Sequence, residues 1–591
     1  MTTPLLHERG PTAVRSSRAT TRRTLGVLIA ILLATGGCAL RGAKLFVGGD
    51  SRQLRERPKD APQSSPEHPP ILLIAIDGLD RALLYDMLRR GELPALAGLL
   101  GGDGGRFPHT YFDRSFLSTL PSSTMVDWVT ALTGVPPARH GIAGNEFFIR
   151  ERREFVAPVP VSIEDSTPVL ACYTDDYIDN QRLAPSVWER MRERDPNVLV
   201  WVAMQHFHAG ADRLLLTDRA VIVKAFDAFI EEEVAKLRQE ESRAVYEKLD
   251  TEIIDVVTKE LREGLVPDVL SVYLSGTDSY AHVAEKGPDA ARREYLLEVV
   301  DPLLARLADR LRELHALDDR WVVLTSDHGH TEVLHDDAHA LSMKGDHEPP
   351  ALLQKAGFRV RPFELEGPPD ADFQAVLAYQ GAMAYVYVAD RSTCATPGAA
   401  CDWTRPPRYD EDVLAVAEAF HRNNHDGQLV PALRGTLDLV LVRRPRPVAE
   451  DDLPFEVYVG RGRSQPIAAY LRAHPHPTYV EVEQRLRDLA VGPHGERAGD
   501  VILVAHNGDR ATPEGRYYFA SRYRSWHGSP SRQDSEIPLI VAHPGWDGDT
   551  IGTLVRKTLG RRPAQQGLTD VLMMLREQPQ RGRAILAGSR R

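Results

Sequence analysis

Cysteine is scarce in this chain, with four among 591 residues, at positions 38, 172, 394 and 401. None has Cys-x-x-Cys spacing, which argues against a thiolate zinc site. No second apolar run like that of residues 25–34 occurs, so a polytopic membrane protein is excluded. No internal repeat is apparent, which removes solenoids and propellers. Gly-x-Ser-x-Gly is missing, and with it the nucleophile elbow of serine hydrolases. Lysine and arginine concentrate nowhere outside the first 23 residues, and the formal charge is −11, from 72 basic and 83 acidic residues. A protein that binds nucleic-acid duplexes gathers its cations on one face, so none of that kind is expected as a partner.

The chain does have enough apolar residue, 42% of its length, to bury a sizeable core. At about 150 residues per domain the length suggests roughly four units, a prior that large α/β enzymes often exceed. The first residues carry Arg9, Arg15, Arg18, Arg22 and Arg23 against Glu8, followed by LGVLIAILLA at 25–34 and small residues up to Cys38. That order is an export signal, and the apolar run is too short to span a bilayer comfortably. Arg22-Arg23 resembles a twin-arginine signal, and Cys38 after two glycines resembles an acylated lipoprotein cysteine. Residues 1–38 therefore read as the signal, with lipidation at Cys38 and simple cleavage both open. Residues 39–68, polar and proline-rich toward their end, read as a flexible tether. The reading implies export from a bacterial cytoplasm, a periplasmic or membrane-anchored location, and membrane attachment through the N-terminus. In such a compartment Cys394 and Cys401, flanking a Pro- and Gly-containing loop, are candidates for a disulfide.

Short, continuously apolar runs recur at 71–76, 198–203, 269–274, 321–325 and 537–542, separated by helical patterns at 185–194, 217–263 and 290–316. Buried strands alternating with helices predict an α/β, doubly wound, mostly parallel sheet flanked by helices. Between 333 and 520 the texture changes to alternating strands, such as 382–389 and 437–443, among proline-rich loops. That block reads as an inserted α+β subdomain, leaving 69–332 and 521–591 as one catalytic core.

The strand ends carry the chemistry. Run 71–76 leads into Asp77-Gly78, run 269–274 into Asp278 and His282, and run 321–325 into Asp327-His328-Gly329. Ligands of open α/β sheets sit beyond the carboxyl ends of the strands, so these acids and imidazoles converge on one edge. Carboxylate oxygen with imidazole nitrogen is a zinc-type donor set, and two such clusters make a two-metal site. Ser122, Ser123 and Thr124 precede a helix-like stretch. A hydroxyl there is an N-cap, or a nucleophile where a metal lowers its pKa. Downstream, His330, His335, Asp336, Asp337, His339, Asp346 and His347 show no regular ligand spacing and read as a solvated polar loop, with a third cation site or a lid over the pocket as alternatives.

Pro121, Thr124, Thr133-Gly134, Pro137 and His140-Gly141, with the ordered acids and histidines and a late His527-Gly528, carry a specific resemblance. The chain resembles the type I phosphodiesterase and nucleotide pyrophosphatase branch of the alkaline phosphatase superfamily, over about 69–350 and 500–545. The resemblance implies an alkaline phosphatase-like fold and two Zn2+ ions, with other divalent metals as alternatives. One zinc is implied on Asp278, His282 and His527, the other on Asp77, Asp327, His328 and the Thr124 oxygen. It implies a phosphate-ester substrate, nucleotide-type diesters among the candidates, and hydrolysis through a phosphothreonine on Thr124. The same fold leaves open a phosphomonoesterase or a transferase of phospho-head groups in the envelope. A metal-binding protein without turnover would require a broken site. A sulfatase is disfavoured because Cys-x-Pro-Ser-Arg is missing. The family pattern has Asn three residues after the nucleophile, where this chain has Asp127. A carboxylate there would meet the phosphoryl group unless protonated, paired or turned away, so Asp127 is a candidate substrate-binding residue.

Overall fold

The computed structural model describes residues 51–56, 67–163, 165–230, 239–342, 348–367, 372–396, 398–445 and 452–578, with side chains 227–242 left aside. The proposed signal, Cys38, Asp346 and His347 lie outside the described residues. Among the described residues, no helix is long and apolar enough to cross a membrane.

In chain order the main elements are β1 (Arg52–Gln53), β2 (Ile71–Ile76), β3 (Thr110–Phe112), α1 (Thr124–Thr133), β4 (Val200–Ala203), β5 (Arg213–Leu215), α2 (Gln239–Glu260), β6 (Val269–Leu274), α3 (Gly276–Val283) and β7 (Trp321–Thr325). Then come β8 (Ala375–Tyr379), β9 (Met383–Val388), β10 (Leu437–Arg443), β11 (Phe455–Gly460), β12 (Arg463–Gln465), α4 (Val482–Ala490), β13 (Val501–Ala505) and β14 (Leu539–Ala542). The main sheet has the order β1-β5-β4-β6-β2-β7-β14-β3. The five strands from β5 to β7 run parallel, while β1 and β14 pair antiparallel with their neighbours. This is the doubly wound, mostly parallel sheet that the apolar runs predict; the run at 537–542 differs in forming an antiparallel strand. Every residue of β2, β6 and β7 is buried, as a strand covered by helices on both faces requires.

Register positions the chemistry. Ile76 pairs with Leu274 across β2 and β6, and Ala75 pairs with Thr325 across β2 and β7. The three central strands therefore stop at one level, and the segments leaving them emerge at one edge.

A second sheet, β8-β9-β13-β10-β11-β12, is antiparallel throughout and forms the inserted subdomain. All of β9, within the stretch 382–389, is buried. Alternate side chains enter different cores: Met383, Tyr385 and Tyr387 join the core of the main sheet, while Ala384, Val386 and Val388 pack into the subdomain's own core. Both faces are dry because the inserted sheet leans on the parallel one.

The helix α3, which carries Asp278 and His282, starts without a side-chain cap of its own. Asp250 of α2 supplies one, accepting from Ser275 N–H at 3.2 Å, Gly276 N–H at 3.1 Å and Tyr295 O–H at 3.0 Å. Burial nevertheless pushes its carboxyl up to about 7 from the usual 3.8. The folded chain then binds this proton more tightly than the unfolded chain, so the associated stability is present at low pH and lost as pH rises towards 7. Chemical denaturation at pH 5 and pH 8 checks this: the wild type should lose about 2 kcal/mol more across that interval than Asp250→Asn.

Candidate functional site

Asp77, Asp327 and His328 lie just beyond the ends of β2 and β7, and Thr124 opens α1 across from them. Asp77 turns one oxygen to the Tyr273 hydroxyl, a donor on β6, and leaves Oδ1 without a hydrogen bond. Asp327 Oδ1 accepts from Gly78 N–H at 3.1 Å and His328 N–H at 3.0 Å, while its Oδ2 is likewise buried and unbonded. His328 Nε2 lies 3.5 Å from each of those two oxygens and 3.1 Å from Thr124 Oγ1. Two orphaned carboxylate oxygens, an imidazole nitrogen and a hydroxyl thus face one point.

A second group sits beside it. Asp278 Oδ1 lies 3.4 Å from His282 Nε2 and 4.0 Å from His527 Nε2. The rings of His328 and His527, one from each group, stack with centroids 3.6 Å apart. In both groups the imidazoles are aimed by backbone carbonyls: His282 Nδ1 meets Ser525 O at 2.6 Å, His527 Nδ1 meets Ser122 O at 2.8 Å, and His328 Nδ1 meets Gly329 O at 3.1 Å. A carbonyl only accepts, so each Nδ1 is the N–H and each Nε2 presents its lone pair to the site.

The electrostatics point the same way. Burial, with the charges of Asp327 and Asp278, pushes the Asp77 carboxyl well above its usual range. Burial, reinforced by His328, holds His527 far below the ordinary imidazole value. For Asp278, burial alone would raise the carboxyl, but His282 and His330 beside it hold it well below. Buried, mutually repelling carboxylates beside imidazoles fit cations. The buried groups Asp77/Asp327/His328 and Asp278/His282/His527 each bring three ligand atoms within 4.8 Å of one another.

Residue by residue, the structure gathers Asp77, Thr124, Asp278, His282, Asp327, His328 and His527 into this one place. Asp127, the candidate substrate-binding residue, has both oxygens engaged: they accept the N–H groups of Thr119 and Ser123, each at 2.8 Å. The helix terminus and the loop before it claim the carboxylate, which is the capping alternative for this residue. Cys394 and Cys401 form a disulfide, and Cys172 is free and buried.

Three residues of the site escaped sequence reasoning. His330 is buried, with Nε2 2.8 Å from Asp278 Oδ1 and Nδ1 3.1 Å from Ser525 Oγ. Its room comes from Gly78, where a Cβ would stand 2.6 Å from His330 Nε2. Tyr273 was hidden in an apolar strand. Asn145, buried behind α1, accepts from Met125 N–H at 2.9 Å and donates its own backbone N–H to Gln380 at 2.8 Å. Only the order His328-Gly329-His330, an imidazole two residues beyond a predicted ligand, offered a sequence signal. His339 of the polar loop instead pairs with Asp336 at 2.7 Å.

A family model, type I phosphodiesterase / nucleotide pyrophosphatase, matches residues 71–430. The chain belongs to that family. Similar solved structures include murine ectonucleotide pyrophosphatase/phosphodiesterase 5, at 13% identity over 86% of this chain and 96% of that one, with a TM-score of 0.44. An inactive variant of that protein in complex with AMP matches at 13% identity over 87% and 96% of the two chains, with a TM-score of 0.43. Phosphonoacetate hydrolase from Sinorhizobium meliloti 1021, in complex with phosphonoformate, matches at 17% identity over 86% and 96%, with a TM-score of 0.41. Membership in the type I phosphodiesterase family makes the chain a phosphoric ester hydrolase of a metal-dependent family. The matched stretch holds all the residues gathered above except His527, which lies beyond it.

Metal removal has a defined consequence here. With Asp77 raised by burial and by its acidic neighbours, the metal-free protein keeps that group's stabilising contribution at low pH and loses it as pH rises through the folded-state value. Thermal melts with and without chelator should therefore diverge more at pH 8 than at pH 5, with the chelated sample lower.

Proposed function

We propose that the chain hydrolyses phosphate diesters, nucleotide-type esters among them, at a two-zinc centre with Thr124 as nucleophile. Two facing groups of buried ligands, with the Thr124 hydroxyl at the edge of one, carry this reading. Asp77, Asp327, His328 and Thr124 would hold one ion, and Asp278, His282 and His527 the other. When bound, such ions supply positive charge that lowers the pKa of a hydroxyl and offsets the charge of phosphoryl oxygens.

The chain's own residues orient and carry the displacement. His328 Nε2 lies 3.1 Å from Thr124 Oγ1, so imidazole and hydroxyl would face the same ion. Thr124 stands at the N-terminus of α1, where backbone N–H groups and the helix dipole favour an anion. Its oxygen attacks phosphorus, forming a phosphothreonine and expelling the alcohol or phosphate leaving group; water then cleaves the new P–O bond in a second displacement. Asn145, anchored through its Oδ1, has an amide nitrogen left to donate to a phosphoryl oxygen. Gly134, with φ 71°, ends α1 cleanly, so the nucleophile sits on a rigid, fully buried helix.

Export and attachment to a membrane belong to the same proposal. The basic leader, the apolar run at 25–34 and Cys38 support it, and the Cys394–Cys401 disulfide suits an oxidising compartment.

The test pairs elemental analysis with turnover of a chromogenic phosphodiester. About two zinc ions per chain are expected, and Thr124→Ala should lose at least about a thousandfold in kcat while keeping its metal. Activity that survives the substitution, or a purified active enzyme free of divalent metal, would sink the reading.

A further inference from the structure

Asp127 and Arg485 are both buried and reach the nucleophile loop from opposite parts of the chain. Asp127 stands in the first turn of α1, and Arg485 on α4 of the inserted subdomain. The Arg485 guanidinium donates to Ser122 Oγ at 2.8 Å, Ser118 Oγ at 3.3 Å and Ser535 Oγ at 2.7 Å, and to the Thr119 carbonyl. The Asp127 carboxylate takes the Thr119 and Ser123 amides. Loop 118–123 is thus held by an anion through its N–H groups and by a cation through its carbonyl and hydroxyls.

Each charge answers the other. Burial and the nearby Asp327 push the Asp127 carboxyl up, and Arg485 draws it back; burial lowers the Arg485 guanidinium to about 10, and Asp127 opposes that. The loop's own cargo matters for the chemistry. Ser123 holds the N-cap position of α1 directly before Thr124, and the Ser122 carbonyl accepts from His527 Nδ1. A shift of this loop moves the hydroxyl and one imidazole together, and about 1 Å of misplacement can cost roughly a hundredfold in rate.

We propose that Arg485 is a positioning residue for Thr124, delivered by the inserted subdomain and matched to the buried Asp127. The proposal rests on Thr124 being the nucleophile. It also gives the aspartate at 127 a role: the acid anchors a loop whose other handle is an arginine.

The experiment uses the full-length, metal-loaded enzyme and compares Thr124→Ala, Arg485→Met, Arg485→Lys, Asp127→Asn and the double variant Asp127→Asn/Arg485→Met. Metal content, kcat and KM on a chromogenic phosphodiester are read for each. Arg485→Met should lower kcat by about a hundredfold, with KM changed less than about threefold and metal content unchanged. Arg485→Lys should recover part of that loss, because it keeps the charge but not the planar fork. The double variant should lose less than the product of the two single losses, since the carboxylate left uncompensated by Arg485→Met is gone. If Arg485→Met does not fold, Arg485→Lys and Asp127→Asn carry the same test. Folded, metal-loaded Arg485 variants with kcat within about threefold of wild type, beside an inactive Thr124→Ala, would overturn the proposal. A Thr124→Ala enzyme that keeps its activity would defeat the nucleophile assignment instead.

Discussion

Three carboxylates buried together at the end of a parallel sheet are the constraint on which the rest depends. Asp77, Asp278 and Asp327 are at most 7% exposed, and the register of β2, β6 and β7 brings them to one level. Among the described residues, no lysine or arginine is hydrogen-bonded to any of the three, although buried carboxylates ordinarily require a cation. At Asp77 and Asp327 the hydrogen-bonded oxygens take neutral partners, a tyrosine hydroxyl and backbone amides, while Asp77 Oδ1 and Asp327 Oδ2 are held back. That division of labour explains the surrounding architecture better than stability does. The fold uses its neutral donors to orient the acids and leaves Asp77 Oδ1 and Asp327 Oδ2 unbonded, as the proposed ion sites require.

The loops obey the same demand. Each ligand imidazole must offer Nε2, so each Nδ1 needs an acceptor that cannot donate, and a backbone carbonyl is the simplest one. Ser525 serves His282 through its carbonyl and contacts His330 through its hydroxyl. Ser122, in the nucleophile loop, serves His527. The late segment 525–535 therefore has to lie against both the end of α3 and the start of α1. Gly528 permits this, because a Cβ there would stand 1.9 Å from the Gln380 carbonyl of the inserted subdomain.

Much of this was legible in the sequence because it obeys a local rule. A short apolar run followed by Asp, three times over, marks the carboxyl ends of buried strands, and Asp278 with His282 has helical spacing. The parallel core and the candidate ligands Asp77, Asp278, His282, Asp327 and His328 come from those patterns, while the family resemblance adds Thr124 and His527 to the proposal. Reasoning failed where the signal is tertiary. Arg485 lies 366 residues from the Thr119 carbonyl it binds, and nothing in its amphipathic helix distinguishes it from a surface arginine. His330 sits at the head of a polar run whose composition suggests solvent, yet its side chain turns inward to Asp278. Asp127 was open between a substrate contact and a helix cap, because composition cannot say which groups a carboxylate will meet. In a first helical turn, the N–H groups of the preceding loop compete for it and win.

The inserted subdomain emerges as part of the active site. Its sheet shares one face with the main core, Gln380 accepts from Asn145, and Arg485 grips the nucleophile loop. The subdomain therefore cannot be treated as a detachable specificity module: cutting it away would strip the start of α1 of its partners and expose the core beneath β9. The same geometry accounts for an acidic protein acting on an anionic substrate. The net charge of −11 lies over the whole chain, whereas a helix N-terminus and two ion positions set the potential where the phosphoryl group would sit. Arg485, a buried cation close by, is committed to the loop before Thr124, so in the proposed reading the attraction at the pocket falls to cations between the three carboxylates.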